Sequence, residues 1–122
     1  MALLRHLSRI KERNIRLKEA KTRPAELSDI EVISSSMSIS RENEIAEHFK
    51  SVIASRGRGD DADLDWASGQ MKGFLDTNYG PIWQCVCVTG RYGIRFTYEP
   101  FCNFQFRYRH YICLVWRTHR GV

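Results

Sequence analysis

The residues of this 122-residue chain best able to do chemistry are four cysteines, Cys85, Cys87, Cys102 and Cys113, and four histidines, His6, His48, His110 and His119. A thiol beside an imidazole can act as a nucleophile, and Cys85 or Cys102 with His110 could supply that pair. Sulfur and imidazole also ligate metals. Yet Cys85-Val86-Cys87 sets two thiols on one face of a strand, a spacing poor for a structural zinc knuckle, and no matching second pair follows. The histidines show no metal or triad spacing, and no glycine-rich loop opens a helix as a phosphate cradle must. All four cysteines lie inside strand-like runs, with no long apolar secretory signal before them, which points to buried, reduced thiols. Neither an enzyme, nor a metal site, nor a cofactor is expected.

Two shorter motifs also fail on inspection. Arg58-Gly59-Asp60 spells an integrin-type tripeptide, but three letters match often by chance. Asp61, Asp63 and Asp65 imitate the opening of a calcium loop. Such a loop needs glycine at its sixth position and glutamate at its twelfth, where this chain has Trp66 and Lys72. The aspartates fit better as the N-cap and first-turn charges of a helix.

The elements around these residues change character at Asn78-Tyr79-Gly80-Pro81-Ile82-Trp83-Gln84-Cys85. Before it, apolar residues recur every three or four positions. A first helix is expected after Ser38 or Ser40, with Ile45, Phe49, Val52 and Ile53 as its stripe. A second is expected from about Asp63 to Asp76, with Leu64, Ala67, Met71, Phe74 and Leu75. Gly69 and Gly73, four apart, either leave a groove into which a sheet packs closely, the reading favoured here, or merely tolerate glycine. After Pro81 the chain reads as four strands, Ile82 to Val88, Arg91 to Tyr98, Phe101 to Tyr108 and Tyr111 to Arg117, separated by short breaks and therefore antiparallel. Asn103, Gln105 and Arg107 alternate with Phe104, Phe106 and Tyr108, whereas Tyr111 to Trp116 lacks alternation, as suits a strand covered on both faces.

Charge separates a tail from a domain. Met1 to Pro24 holds eight Lys/Arg against Glu12 and Glu19, and the remainder holds eleven against twelve acids. Residues 1–36 read as a basic extension, either a solvated, flexible tail or partly an amphipathic helix on Leu3, Leu7, Ile10 and Leu17 that could serve a membrane surface, a partner or a transit peptide, then a linker in which Ile30 to Ile33 could add one short strand. Residues 37–118 read as one domain and 119–122 as a tail. A domain with no basic surplus is a poor nucleic-acid binder, so a basic-tailed adaptor for nucleic acid or membrane, with the domain as dimeriser, is the rival reading.

Met71-Lys72-Gly73-Phe74-Leu75-Asp76, the Tyr79-Gly80-Pro81-Ile82-Trp83-Gln84-Cys85 core, Tyr92-Gly93, Thr97-Tyr98-Glu99 and Ile112-Cys113-Leu114-Val115-Trp116-Arg117 together resemble the small dynein light chain family of the dimeric hub type. The resemblance covers about Met37 to Thr118. It implies an α+β protomer, two helices on an antiparallel sheet, paired into a homodimer by exchange of the Arg91 to Tyr98 strand. It also implies capture of extended client peptides by β-strand addition, without catalysis or cofactor. The implied partners are a second copy of the chain and the dynein intermediate chain or other proteins with extended linear motifs. The implied setting is the cytoplasm and its cytoskeleton, on a cytoplasmic or axonemal motor.

Carried over residue by residue, the peptide site comprises Tyr92, Gly93, Ile94, Arg95, Phe96, Thr97, Tyr98, Asn103 and Gln105, and the dimer interface Trp83, Gln84, Gly93 and Phe96. Ile94 and Arg95 depart from the family's serine and tyrosine, and Asn103 and Gln105 stand where the family has groove-lining aromatics. Those four changes imply a different set of clients. Gln84 stands where the family typically has histidine, near the two-fold axis, and glutamine cannot take up a proton there.

Overall fold

The computed structural model describes residues 24–56 and 63–118. The basic stretch before Pro24, most of the glycine-rich connection and the last residues lie outside them. A 3-10 turn, Ala25–Leu27, leads into strand β1, Ile30–Ser35. Helices α1, Ile39–Arg56, and α2, Leu64–Tyr79, come next, followed by β2, Trp83–Thr89, β3, Asn103–Tyr108, and β4, Tyr111–Arg117. The strands form one antiparallel sheet in the order β1-β3-β4-β2. The expected α+β architecture is present. Its first strand is the short one at Ile30, upstream of the boundary expected at residue 37.

Each helix begins as its sequence dictates. Ser38 Oγ accepts the Arg41 N–H at 3.2 Å, and Asp63 Oδ1 accepts the Trp66 N–H at 3.0 Å, so each cap satisfies a donor that the first turn leaves free. The stripe Ile45, Ala46, Phe49, Val52 and Ile53 of α1, and Ala67, Met71 and Leu75 of α2, is buried. Phe49 meets Phe106 and Tyr108 edge-on at ring separations of 5.4 and 6.3 Å, which seats α1 on β3. Helix α2 runs three residues beyond the expected Asp76. Its last turn is held by Tyr79, whose ring lies 6.1 Å from Phe74 and 6.0 Å from Trp83, with the Arg41 guanidinium 4.5 Å from its centre. The helix then stops at Gly80, whose φ of 80° lies outside the helical region.

The transition to the sheet is fixed by three residues. Asp76 Oδ1 accepts the Trp83 N–H at 2.7 Å. Lys72 Nζ donates to Asp76 Oδ2 at 2.9 Å and to Trp83 O at 2.7 Å. One turn of α2 thus satisfies both backbone groups of the first residue of β2, whose indole is fully buried. Burial raises the Asp76 pKa, but the Trp83 hydrogen bond and the Lys72 ammonium outweigh it and hold the carboxyl below its ordinary value.

Two expectations fail. Gly69 and Gly73 are exposed, and a Cβ on either would meet nothing within 4 Å, so no sheet packs into a glycine groove. Helix α2 approaches β2 through Ala67, Met71 and Leu75 instead. Arg91 to Tyr98, read from its pattern as a strand beside its chain neighbours, joins no ladder of its own protomer, as the exchange implied by the resemblance would require.

The open glycines and the Asp76 contact each give a testable stability. Gly69→Ala and Gly73→Ala should each stabilise the fold by roughly 0.5–1 kcal/mol, read by urea unfolding at fixed protein concentration. Asp76→Ala strands a buried N–H and should cost about 1–3 kcal/mol. Because the folded pKa of Asp76 is depressed, its contribution is present above the unfolded value of 3.8 and is lost as pH falls through the folded one. The wild-type and Asp76→Ala melting temperatures should therefore converge on acidification below pH ~4.

Candidate functional site

The sheet has two unlike faces. In register, Phe104, Val115 and Cys85 share one face with Phe106, Cys113 and Cys87, and on that face the helices pack. Asn103, Trp116 and Gln84 share the other with Gln105, Leu114 and Val86. Leu114 and Ile112 are each 1 % exposed there although the helices lie on the opposite side. The segment from Arg91 to Glu99 lies over this face, touching Gln105 and Trp116. It leaves β2 at Gly90, φ 84°, and the Tyr92 hydroxyl donates to Gln105 Oε1 at 2.7 Å, two strands inward from β2. The Phe96 ring lies 4.7 Å from that of Trp116 and 5.4 Å from that of Tyr98.

The far end of the segment is pinned. Glu99 N–H donates to Arg117 O at 2.9 Å, and the Glu99 carboxylate lies 3.5 Å from Arg117 Nε. Arg117 in turn donates to Pro81 O through Nε and Nη2 at 3.1 and 2.9 Å, so the loop's exit is tied to the start of β2. Between these anchors Gly93, Ile94, Arg95 and Thr97 are exposed, and Tyr92, Phe96 and Tyr98 are half-buried. The result is a segment secured at both ends, with no ladder along it.

Asn103 and Gln105 are buried, at 3 % and 7 % exposure, in a polar chain that runs inward from Tyr92. Gln105 Nε2 donates to Asn103 Oδ1 at 3.3 Å, and Asn103 Nδ2 donates to Ser34 Oγ of β1 at 3.3 Å. In the single protomer these two residues are therefore structural partners rather than an open groove. Trp83 sits within the helix-side core, whereas Gln84 and Phe96 lie on the other face and Gly93 is exposed on the segment above it.

The two outer edges of the sheet also differ. The β1 edge is interrupted by a bulge between Val32 and Ser34. The β2 edge runs in unbroken register from Trp83 to Thr89 with no partner on its outer side among the described residues. A bulge twists an edge away from further pairing, so β2 is the edge equipped to accept another strand.

Neither cysteine considered as a nucleophile stands beside His110: Cys85 pairs with Val115, five residues along the chain from that histidine. Cys102 precedes β3 and His110 follows it, separated by the full length of the strand. Burial pushes the Cys102 thiol up. His48 stacks on Phe74 at 3.9 Å, and burial lowers its pKa, which fits a packing role. What the sequence could not show is that Cys113 joins Cys85 and Cys87: all three sulfurs lie within 4.8 Å of one another. Only the strand register, Cys87 opposite Cys113, reveals it.

Comparison with known proteins agrees with this geometry. The family described as dynein light chain type 1 matches residues 29–118. A tegument antigen of Schistosoma mansoni is 40% identical over 90 residues, which are 74% of this chain and 47% of that protein, so the chain spans about half the length of this relative. The dynein light chain-like domain of the Fasciola hepatica calcium binding protein FhCaBP2 superposes with a TM-score of 0.70 at 44% identity, covering 76% of this chain and 95% of that one. The DLC-like domain of CsTAL3 gives 0.63 at 30%, covering 75% and 94%.

The Tyr92 contact can be weighed directly. Tyr92→Phe leaves Gln105 Oε1 buried without its donor and should destabilise the isolated protomer by about 1–3 kcal/mol, measured by urea unfolding at concentrations where the chain is monomeric.

Proposed function

Because this chain belongs to the dynein light chain type 1 family, we propose that it is a non-catalytic dimeric adaptor that captures extended segments of other proteins by β-strand addition. In this reading Arg91 to Tyr98 swings off its own sheet and pairs with the free β2 edge of a second copy. Its outer border then presents unpaired N–H and C=O groups to a client. The observation that carries the proposal is the coexistence, among the described residues of one protomer, of a segment that joins no ladder and a regular strand edge without a neighbour. Each is a liability alone, and each satisfies the other across a two-fold axis.

Two-fold symmetry gives two equivalent grooves, so a client with two motifs, or two clients, can be held side by side at high effective concentration. Membership of the dynein motor complex, with the intermediate chain as client and a cytoplasmic, cytoskeleton-associated location, is the finer form of the same proposal. Ile94 and Arg95 are exposed on the segment and would face the incoming peptide, so they select its side chains; Asn103 and Gln105 become available only when Tyr92 withdraws. A client set different from that of the family's usual glutamine-threonine motifs follows.

A pair of prolines tests this. Ile94→Pro with Arg95→Pro removes adjacent N–H donors, which point to opposite edges of a strand, while the protomer's own sheet uses neither. The variant should keep its circular dichroism, sediment as a monomer and lose peptides that the wild type retains on an array. A variant that still dimerises and binds them would overturn the proposal.

A further inference from the structure

The proposed adaptor role makes no use of the cluster of thiols on the helix side of the sheet. Cys85 Sγ lies 3.9 Å from both Cys87 Sγ and Cys113 Sγ, and the third separation is no more than 4.8 Å. These distances are far too long for a disulfide, whose sulfurs sit about 2.05 Å apart. They suit a shared ion. A point equidistant from three sulfurs so spaced lies about 2.2–2.5 Å from each, which brackets a metal–thiolate bond of about 2.3 Å. No rearrangement of the strands is needed to reach that geometry.

We infer that Cys85, Cys87 and Cys113 form a trigonal site for a single soft, thiophilic cation, with Cu(I) the ion that fits.

The donor set selects the metal class. It contains sulfur alone: no histidine or carboxylate joins the group among the described residues. An all-thiolate set favours soft ions, whereas calcium and magnesium require oxygen. Structural zinc takes four ligands, and this site offers three on a sheet face where the cross-strand neighbours of Cys113 and Cys85 are Phe106 and Val115, neither of them a donor. Three-coordinate Cu(I) needs no fourth.

The fold supplies both rigidity and access. Cys85 and Cys87 are fixed two residues apart on one face of β2, and Cys113 is opposite Cys87 on β4. Cys113 is fully buried, while Cys85 and Cys87 are half-buried, so an ion reaches the site from the β2 side. Each thiol that ligates releases its proton to water as the ion enters, so the exchange balances without any oxidant or reductant. Cys102, at the far end of β3's approach, takes no part.

The reduced 122-residue chain, titrated anaerobically with Cu(I) as its acetonitrile complex in competition with bicinchoninate, tests the inference. It should retain one equivalent, with X-ray absorption showing sulfur neighbours alone at about 2.3 Å. Cys102→Ser should bind as the wild type does. Cys87→Ser, on the half-buried rim and checked for fold by circular dichroism, should weaken retention at least tenfold, and Cys85→Ser gives a second reading should that variant unfold. Retention undiminished in folded Cys87→Ser or Cys85→Ser, loss in Cys102→Ser, or nitrogen or oxygen neighbours around the copper would overturn it.

Discussion

The structure depends on the grip of α2 on the first residue of β2. Lys72 and Asp76, one helical turn apart, satisfy the N–H and C=O of Trp83. The indole of the same residue fills the core beneath Tyr79. Strand β2 lies at the border of the sheet, where half its backbone groups have no ladder partner. A border strand is easily lost unless something other than the ladder holds its start. The clamp provides that, and it leaves the outer edge of β2 free.

With β2 fixed, the rest follows from covering a sheet on both sides. A domain of this size buries a limited core, and its helices serve only one face. The other carries Ile112 and Leu114, too apolar to meet water cheaply, beside Gln105 and Asn103, too polar to be buried unpaired. In the single protomer the Arg91 to Glu99 segment resolves both demands with Phe96 against Trp116 and the Tyr92 hydroxyl on Gln105. The solution leaves the segment's own backbone without a ladder. In the dimer we propose, the segment would instead pair with the β2 edge of a second copy, and the groups it covers here would have to be covered by that copy.

The turn that ends this segment carries a related strain. Cys102 N–H donates to Glu99 O at 3.1 Å, with Pro100 and Phe101 between them, and Phe101 adopts a φ of 64° that glycine would take more easily. Arg117 compensates by binding Glu99 and Pro81 together. Backbone strain at the exit is thus offset by a contact with Pro81, two residues before the Trp83 that Lys72 and Asp76 hold.

By itself the sequence determined what local physics controls. Periodicity placed both helices and three of the ladder strands, Asp63 was legible as a cap, and the lack of alternation from Tyr111 to Trp116 foretold a strand covered twice. The motif around Pro81-Ile82-Trp83 carried the family. Tertiary structure decided whatever depends on register between distant segments: that Gly69 and Gly73 face open space, that Asn103 and Gln105 are buried by Tyr92, and that Ile30–Ser35 completes the sheet. It also decided that Cys113 stands beside Cys85 and Cys87, and that Arg91 to Tyr98 has strand character but no strand to pair with. A hydrophobic period reports which way a side chain points along its own element. It contains nothing about which residue of another element lies opposite, because that choice is made by packing across the whole chain.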